Sequence, residues 1–182
     1  MNNFEIITRA LRRLGVIASG QTATTDEMDD ALEALRSLFS RMVSDGTFGR
    51  LSTIEAGAGV YDATPMTRVI RSSPDTTKIN LPTIAPDKSV IIIADIIQDT
   101  TSTFVYDEDA ASWTRIETMT QTSRAPFGSR DALGLSAYLA AEMSSEFGVE
   151  LSEILSFDAA RYHASLGSDL SREINPTISD YF

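Results

Sequence analysis

The chain has 182 residues and a net charge of −11, from 15 basic and 26 acidic side chains. Its 42% hydrophobic and 23% charged residues are ordinary for a folded domain and exclude disorder throughout. With no cysteine and one histidine, His163, the chain has no disulfide, thiolate metal site, cysteine nucleophile or multi-histidine metal centre. The acidic balance argues against gripping nucleic acid through phosphates, because that binding releases counterions beneath Lys and Arg. It leaves open a protein that repels DNA and lets it slide past. No apolar run follows the charges of the N-terminal segment, so neither a signal peptide nor export is expected. The longest apolar run, Val90 to Ala94 with Ile96 and Ile97 beyond Asp95, is too short to span a bilayer.

Residues 3–14 read as a helix, with Phe4, Ile7, Leu11 and Leu14 on one face. Arg12 and Arg13 lie near its C-terminal end, where the dipole favours cations, and Gly15 is the expected cap. Thr24 with Glu27 forms a capping-box signal, and Asp26, Asp29 and Asp30 follow it in the first turns. Leu32, Leu35, Leu38, Phe39, Met42 and Val43 then give a helical stripe that ends before Gly46.

Residues 51–124 lose that period. Thr67 to Arg71, Lys78 to Leu81, Ser89 to Ile97, Thr101 to Tyr106 and Trp113 to Glu117 read as strands. The last two flank the polar turn Asp107 to Ser112, and Trp113 is expected to pair with Val105 or Tyr106. The sheet predicted here is mostly antiparallel, of roughly four to six strands.

Residues 129–147 return to helix, capped by Ser129, with Leu133, Leu135, Tyr138, Leu139 and Met143 inward. Gly134 within it costs about 1 kcal/mol relative to alanine. Ser152 to Leu166 is a fourth helix, with Ile154, Leu155, Ala159, Tyr162 and Leu166 inward and Gly167 as its stop. The expected fold is α+β. A bundle of about four helices (1–50 and 125–167) holds an inserted small antiparallel sheet (51–124), followed by an extended C-terminal arm (168–182).

Few motifs carry chemistry. Gly57-Ala-Gly59 lacks the rest of a dinucleotide loop, and Gly134-Leu-Ser136 lacks the second glycine of a nucleophile elbow. Asp26 with Asp30, and Glu142 with Glu146, are helical carboxylate pairs that read as solvated faces. Asp107-Glu108-Asp109 occupies a turn where acids are common, although a cation site or a carboxylate-dependent hydrolase would use such acids. His163 has no placed nucleophile. No catalytic residue, cofactor or metal is expected. Arg9, Arg12 and Arg13 are the one basic cluster. They read as a solvated helix end, or as contacts to Asp26, Asp29 and Asp30 of a neighbouring copy. The tail keeps Leu170, Ile174, Ile178, Tyr181 and Phe182 around Pro176, which suits an arm in a partner's groove. Fully extended, it reaches about 50 Å.

The N-terminal run Ile7-Thr-Arg-Ala-Leu-Arg-Arg-Leu-Gly15, and the helix from Thr25-Asp-Glu-Met-Asp-Asp-Ala-Leu to Ser44-Asp-Gly46, resemble the opening of head-to-tail adaptor (connector) proteins of tailed bacteriophages. Beyond residue 46 the likeness is one of layout, and the β insertion is larger than in the smaller adaptors. The resemblance implies a structural virion protein at the head–tail junction, made in the bacterial host cytoplasm. It implies a ring of about twelve copies beneath the portal, which extends the DNA channel and offers the tail or nozzle protein its attachment surface. DNA would pass without specific binding, and no membrane is involved. Lateral contacts are then expected on the helices at 25–45 and 129–147, with the arm on the portal. The alternatives are a cytosolic module whose β-lobe holds a peptide or small molecule near Trp113, and a small hydrolase using Asp107 and Asp109.

Overall fold

The computed structural model describes residues 1–49, 51–56, 66–72 and 81–173. Helix α1 (Asn3–Leu14) starts in a capping box: the Asn2 side chain accepts from the Glu5 N–H while the Glu5 carboxylate reaches back. It stops at Gly15, whose φ of 79° is the left-handed cap that glycine adopts without a Cβ clash. Its buried stripe is Ile6, Ile7, Ala10, Leu11 and Leu14. Phe4 was expected inward but is 44% exposed, because the buried face is turned toward Ile6. Helix α2 (Thr25–Ser44) begins with the expected Thr24–Glu27 capping box and buries its whole expected stripe.

Five strands follow: β1 (Leu51–Glu55), β2 (Met66–Arg71), β3 (Val90–Asp95), β4 (Thr100–Asp107) and β5 (Ser112–Arg115). They form one sheet in the order β1-β2-β3-β4-β5. The pairs β1/β2 and β2/β3 are parallel, and β3/β4 and β4/β5 are antiparallel. This overturns the expected small antiparallel insertion: the sheet is mixed and five strands wide. The physical reason lies in β3, the middle strand. Its run Val-Ile-Ile-Ile-Ala is apolar on both faces, as a strand with a parallel neighbour and cover on both sides tends to be. Alternation reports which face is buried; it does not report strand direction. The Trp113 hairpin is as expected, with Tyr106 opposite Trp113. Ile96 and Ile97 lie in the exposed turn after β3 rather than in the strand. The strand expected at Lys78 to Leu81 and the Gly57-Ala-Gly59 junction fall outside the described residues, apart from Leu81, which is in no strand.

Asp95 closes β3. Its carboxylate accepts from the N–H groups of Ile97 and Gln98 at 3.0 and 3.1 Å and from Arg71 Nη1 at 2.8 Å. Burial alone pushes this carboxyl up, but the Gln98 N–H, the Arg71 charge and the Ile97 N–H together hold it below the usual range. The folded pKa is thus lower than the unfolded one. Its stabilisation is fully present above the ordinary carboxylate pKa and is lost as pH falls through the lowered folded value. Urea midpoints of wild type and Asp95→Asn should therefore differ at pH 7 and converge on acidification. A gap that widens toward acid would contradict this.

Helix α3 (Ala132–Met143) and helix α4 (Glu153–Glu173) complete the fold. Ser129 does not cap α3. Residues Ser129–Asp131 make a 3₁₀ turn, and Asp131 takes the N-cap position without a side-chain cap bond. Its carboxylate is turned instead toward Lys88, 3.3 Å away. Leu133 and Ile154 were expected inward but are 64% and 78% exposed. Gly167 does not end α4, whose backbone helix continues to Glu173. A glycine inside a helix costs about 1 kcal/mol, which weakens a helix without stopping it. The first part of the expected arm, including Leu170, is therefore helical in its backbone.

Helix α3 packs on α1, α2 and α4. One row across the sheet, Met66–Val90–Val105, belongs to the same core as Leu35, Phe39 and Phe127. Phe127 meets Phe39 edge-on at 5.2 Å and Phe48 at 5.9 Å, so aromatic packing lies where the sheet joins the helices.

Candidate functional site

The charged residues singled out in the sequence lie at helix ends. Arg9, Arg12 and Arg13 are exposed on α1, and Asp26, Asp29 and Asp30 are exposed on α2. Among the described residues no ion pair joins the two clusters within the chain. Arg13 instead reaches Asp158 of α4 at 3.5 Å. Asp29 accepts from the Gln121 amide at 2.8 Å.

Two grooves of opposite character flank these clusters. The first, of about 570 Å³, is bounded by Arg13, Arg130, Leu133, Asp158, Arg161 and Tyr162. It carries three guanidinium groups against one carboxylate. Arg130 is held firmly protonated by its hydrogen bond to Asp87, then by the charge of the same carboxylate. The second groove, of about 560 Å³, is bounded by Asp30, Glu33 and Ser37 of α2 with Glu146 and Phe147 beyond α3. It carries three carboxylates. The grooves lie at opposite ends of α3.

Behind the basic groove is a buried charge cluster that the sequence reading missed. Lys88 is 5% exposed, with Nζ 3.3 Å from Asp131 and 3.8 Å from Asp87, and it lies over the Phe127 ring at 5.7 Å. Arg130 also pairs with Asp87. The Tyr162 phenol is held neutral, first by burial and then by the Asp131 carboxylate. Lys88 has a φ of 62°, a left-handed conformation a lysine rarely adopts, so its surroundings impose it. The cluster ties the loop before β3 to the starts of α3 and of the basic groove. The signal available in sequence was Pro86-Asp87-Lys88 immediately before an apolar strand, which reads as an ordinary exposed turn.

The remaining candidates are engaged elsewhere. Asp107 is 1% exposed and accepts from Arg124 Nε at 2.7 Å, while Glu108 and Asp109 face solvent. Among the described residues no three His, Asp or Glu side chains gather as a metal-binding group. His163 lies against Tyr138, ring centroids 5.3 Å apart, with Nε2 3.5 Å from Thr47 Oγ1. Trp113 stacks obliquely on Tyr106 at 5.1 Å and donates its indole N–H to Pro82 O at 2.7 Å. Among the described residues no helix is long and apolar enough to cross a membrane. Of the expected arm, Ile174, Pro176, Ile178, Tyr181 and Phe182 lie outside the described residues.

No protein-family model matches the chain, and no curated protein does. The functional reading therefore rests on the residues themselves.

Proposed function

We propose that the chain is a structural virion protein, a head-to-tail adaptor. Its copies form a ring of about twelve beneath the portal, extend the DNA channel and offer the tail its attachment surface. The observation that carries this reading is the pair of oppositely charged grooves on one helical layer, which suits side-by-side assembly of identical chains. The N-terminal resemblance to phage adaptors supports it, since the same two helices carry Arg9, Arg12, Arg13, Asp26, Asp29 and Asp30. The net charge of −11 supports a channel wall that repels phosphate and lets DNA pass without specific contact. The chain has no catalytic role in this account. Of the two acids a hydrolase would use, Asp107 is held by Arg124 and Asp109 is exposed.

The arm beyond Glu173 docks on the portal through Ile174, Ile178, Tyr181 and Phe182. Because α4 runs to Glu173, the informative truncation ends there, leaving the helix whole. When the portal protein of the same virion is mixed with the full chain, its sedimentation boundary should shift to higher mass. The chain ending at Glu173 should leave it unshifted while melting at nearly the same temperature as the full chain. A portal boundary unmoved by the full chain would overturn the reading.

A further inference from the structure

We infer that the basic groove beside α4 docks the N-terminal half of α2 from a second copy of this chain. The inference rests on the ring reading above and names the two surfaces that would make the ring.

Helix α4 has two faces. Leu155, Ala159, Tyr162 and Leu166 recur at helical spacing and are buried against the domain. Turned about 120° from them around the axis, Ile154, Phe157, Asp158 and Arg161 form a second stripe. Ile154 and Phe157 are 78% and 66% exposed, and Leu133 across the groove is 64% exposed. Large apolar side chains set among arginines mark a docking surface. Within the groove, Arg13 is matched by Asp158 and Arg130 by Asp87. Arg161 has no ion pair among the described residues.

The matching surface is on α2. Asp26, Asp30 and Glu33 are exposed and spaced four and three residues apart, so they share one stripe. None has an ion pair among the described residues. The two cations of α2 are directed elsewhere: Arg36 donates to Met119 O, and Arg41 pairs with Glu142. Asp29 beside the stripe is already held by the Gln121 amide at 2.8 Å.

On a chain of net charge −11 an uncompensated acidic stripe repels most of every other copy. A groove with three arginines is a described surface of the opposite sign, shaped to receive it. The two surfaces are different and lie at opposite ends of α3, so each copy offers one and receives on the other. Such a heterologous contact runs head to tail and closes into a ring when its rotation divides a full turn.

The absence of native cysteine makes a direct test available. A chain carrying both Glu33→Cys and Arg161→Cys, oxidised briefly at low salt, should give a ladder of disulfide-linked multimers on a non-reducing gel. Either single variant should stop at dimers. The ladder should fade by at least tenfold in 0.5 M salt, where the Debye length is a few ångströms. The reaction is run on the free chain and on the chain mixed with portal. A control pair, Thr53→Cys with Arg161→Cys, places the first thiol on the exposed edge strand β1 and should give no ladder. No ladder from the 33/161 pair in either setting, or an equal one from the control, overturns the inference. If portal binds the chain but no 33–161 link forms, the docking inference alone falls. If the ladder forms and portal is not bound, the adaptor reading alone falls.

Discussion

Replacing Gly134 with alanine destabilises the protein, although alanine is the better helix former by about 1 kcal/mol. A Cβ at this position of α3 would overlap the Tyr162 ring at Cδ2 and Cγ, and would lie 2.7 Å from Cε2. These are atoms of a buried ring rather than the end of a flexible chain, and Tyr162 is only 9% exposed. Helices α3 and α4 must move apart or the ring must leave its rotamer, an overpacking cost of about 1–3 kcal/mol that outweighs the propensity gain and leaves a net loss of about 1 kcal/mol. The urea midpoint should fall by about 0.5 M, since m for a domain of this size is about 2 kcal/mol per molar. In a Tyr162→Ala background the same change should become neutral or stabilising, giving a coupling energy of about 2 kcal/mol. A Gly134→Ala chain more stable than wild type would show that the two helices do not approach this closely.

Lys88→Met is the second large effect. It keeps the length of the side chain and removes the charge between Asp131 and Asp87. Asp131 is then left nine-tenths buried with Arg130 at 3.9 Å as its remaining cation. Breaking a buried pair by removing one partner costs about 3–5 kcal/mol, because the other charge stays desolvated. The double variant Lys88→Met/Asp131→Asn removes both charges and should recover most of the loss. Equal destabilisation by the single and double variants would mean that Lys88 acts through its packing on Phe127 instead.

The helices were legible in the sequence because their signals are local. Thr24 with Glu27, Gly15, and the stripe from Leu32 to Val43 each fix a feature within one or two turns. The faces were legible less well at helix ends. Phe4, Leu133 and Ile154 are apolar residues at helical spacing, yet they lie on the outside. Periodicity counts an apolar residue as inward, and apolar side chains left exposed near helix ends break that rule. Strand β1 (Leu51–Glu55) was not among the expected strands, and the direction of β2 was hidden because pairing is set by contacts between segments far apart in sequence. The apolar character of β3 on both faces was the clue to its middle place. Gly134 read as a weakness in α3, since nothing local shows that a tyrosine 28 positions later fills the space of its side chain. For the candidate surfaces, Arg13, Asp26 and Asp30 were visible as charge clusters. Arg130 and Arg161 were not, because the fold brings them to Arg13 from two other helical segments.

The measurement that bears most directly on the adaptor reading is imaging of the same portal mixture by electron microscopy. The account predicts end views with a closed ring of added density beneath the portal for the full chain, and bare portal for the chain ending at Glu173. Portal particles with no added ring at saturating full chain would contradict it.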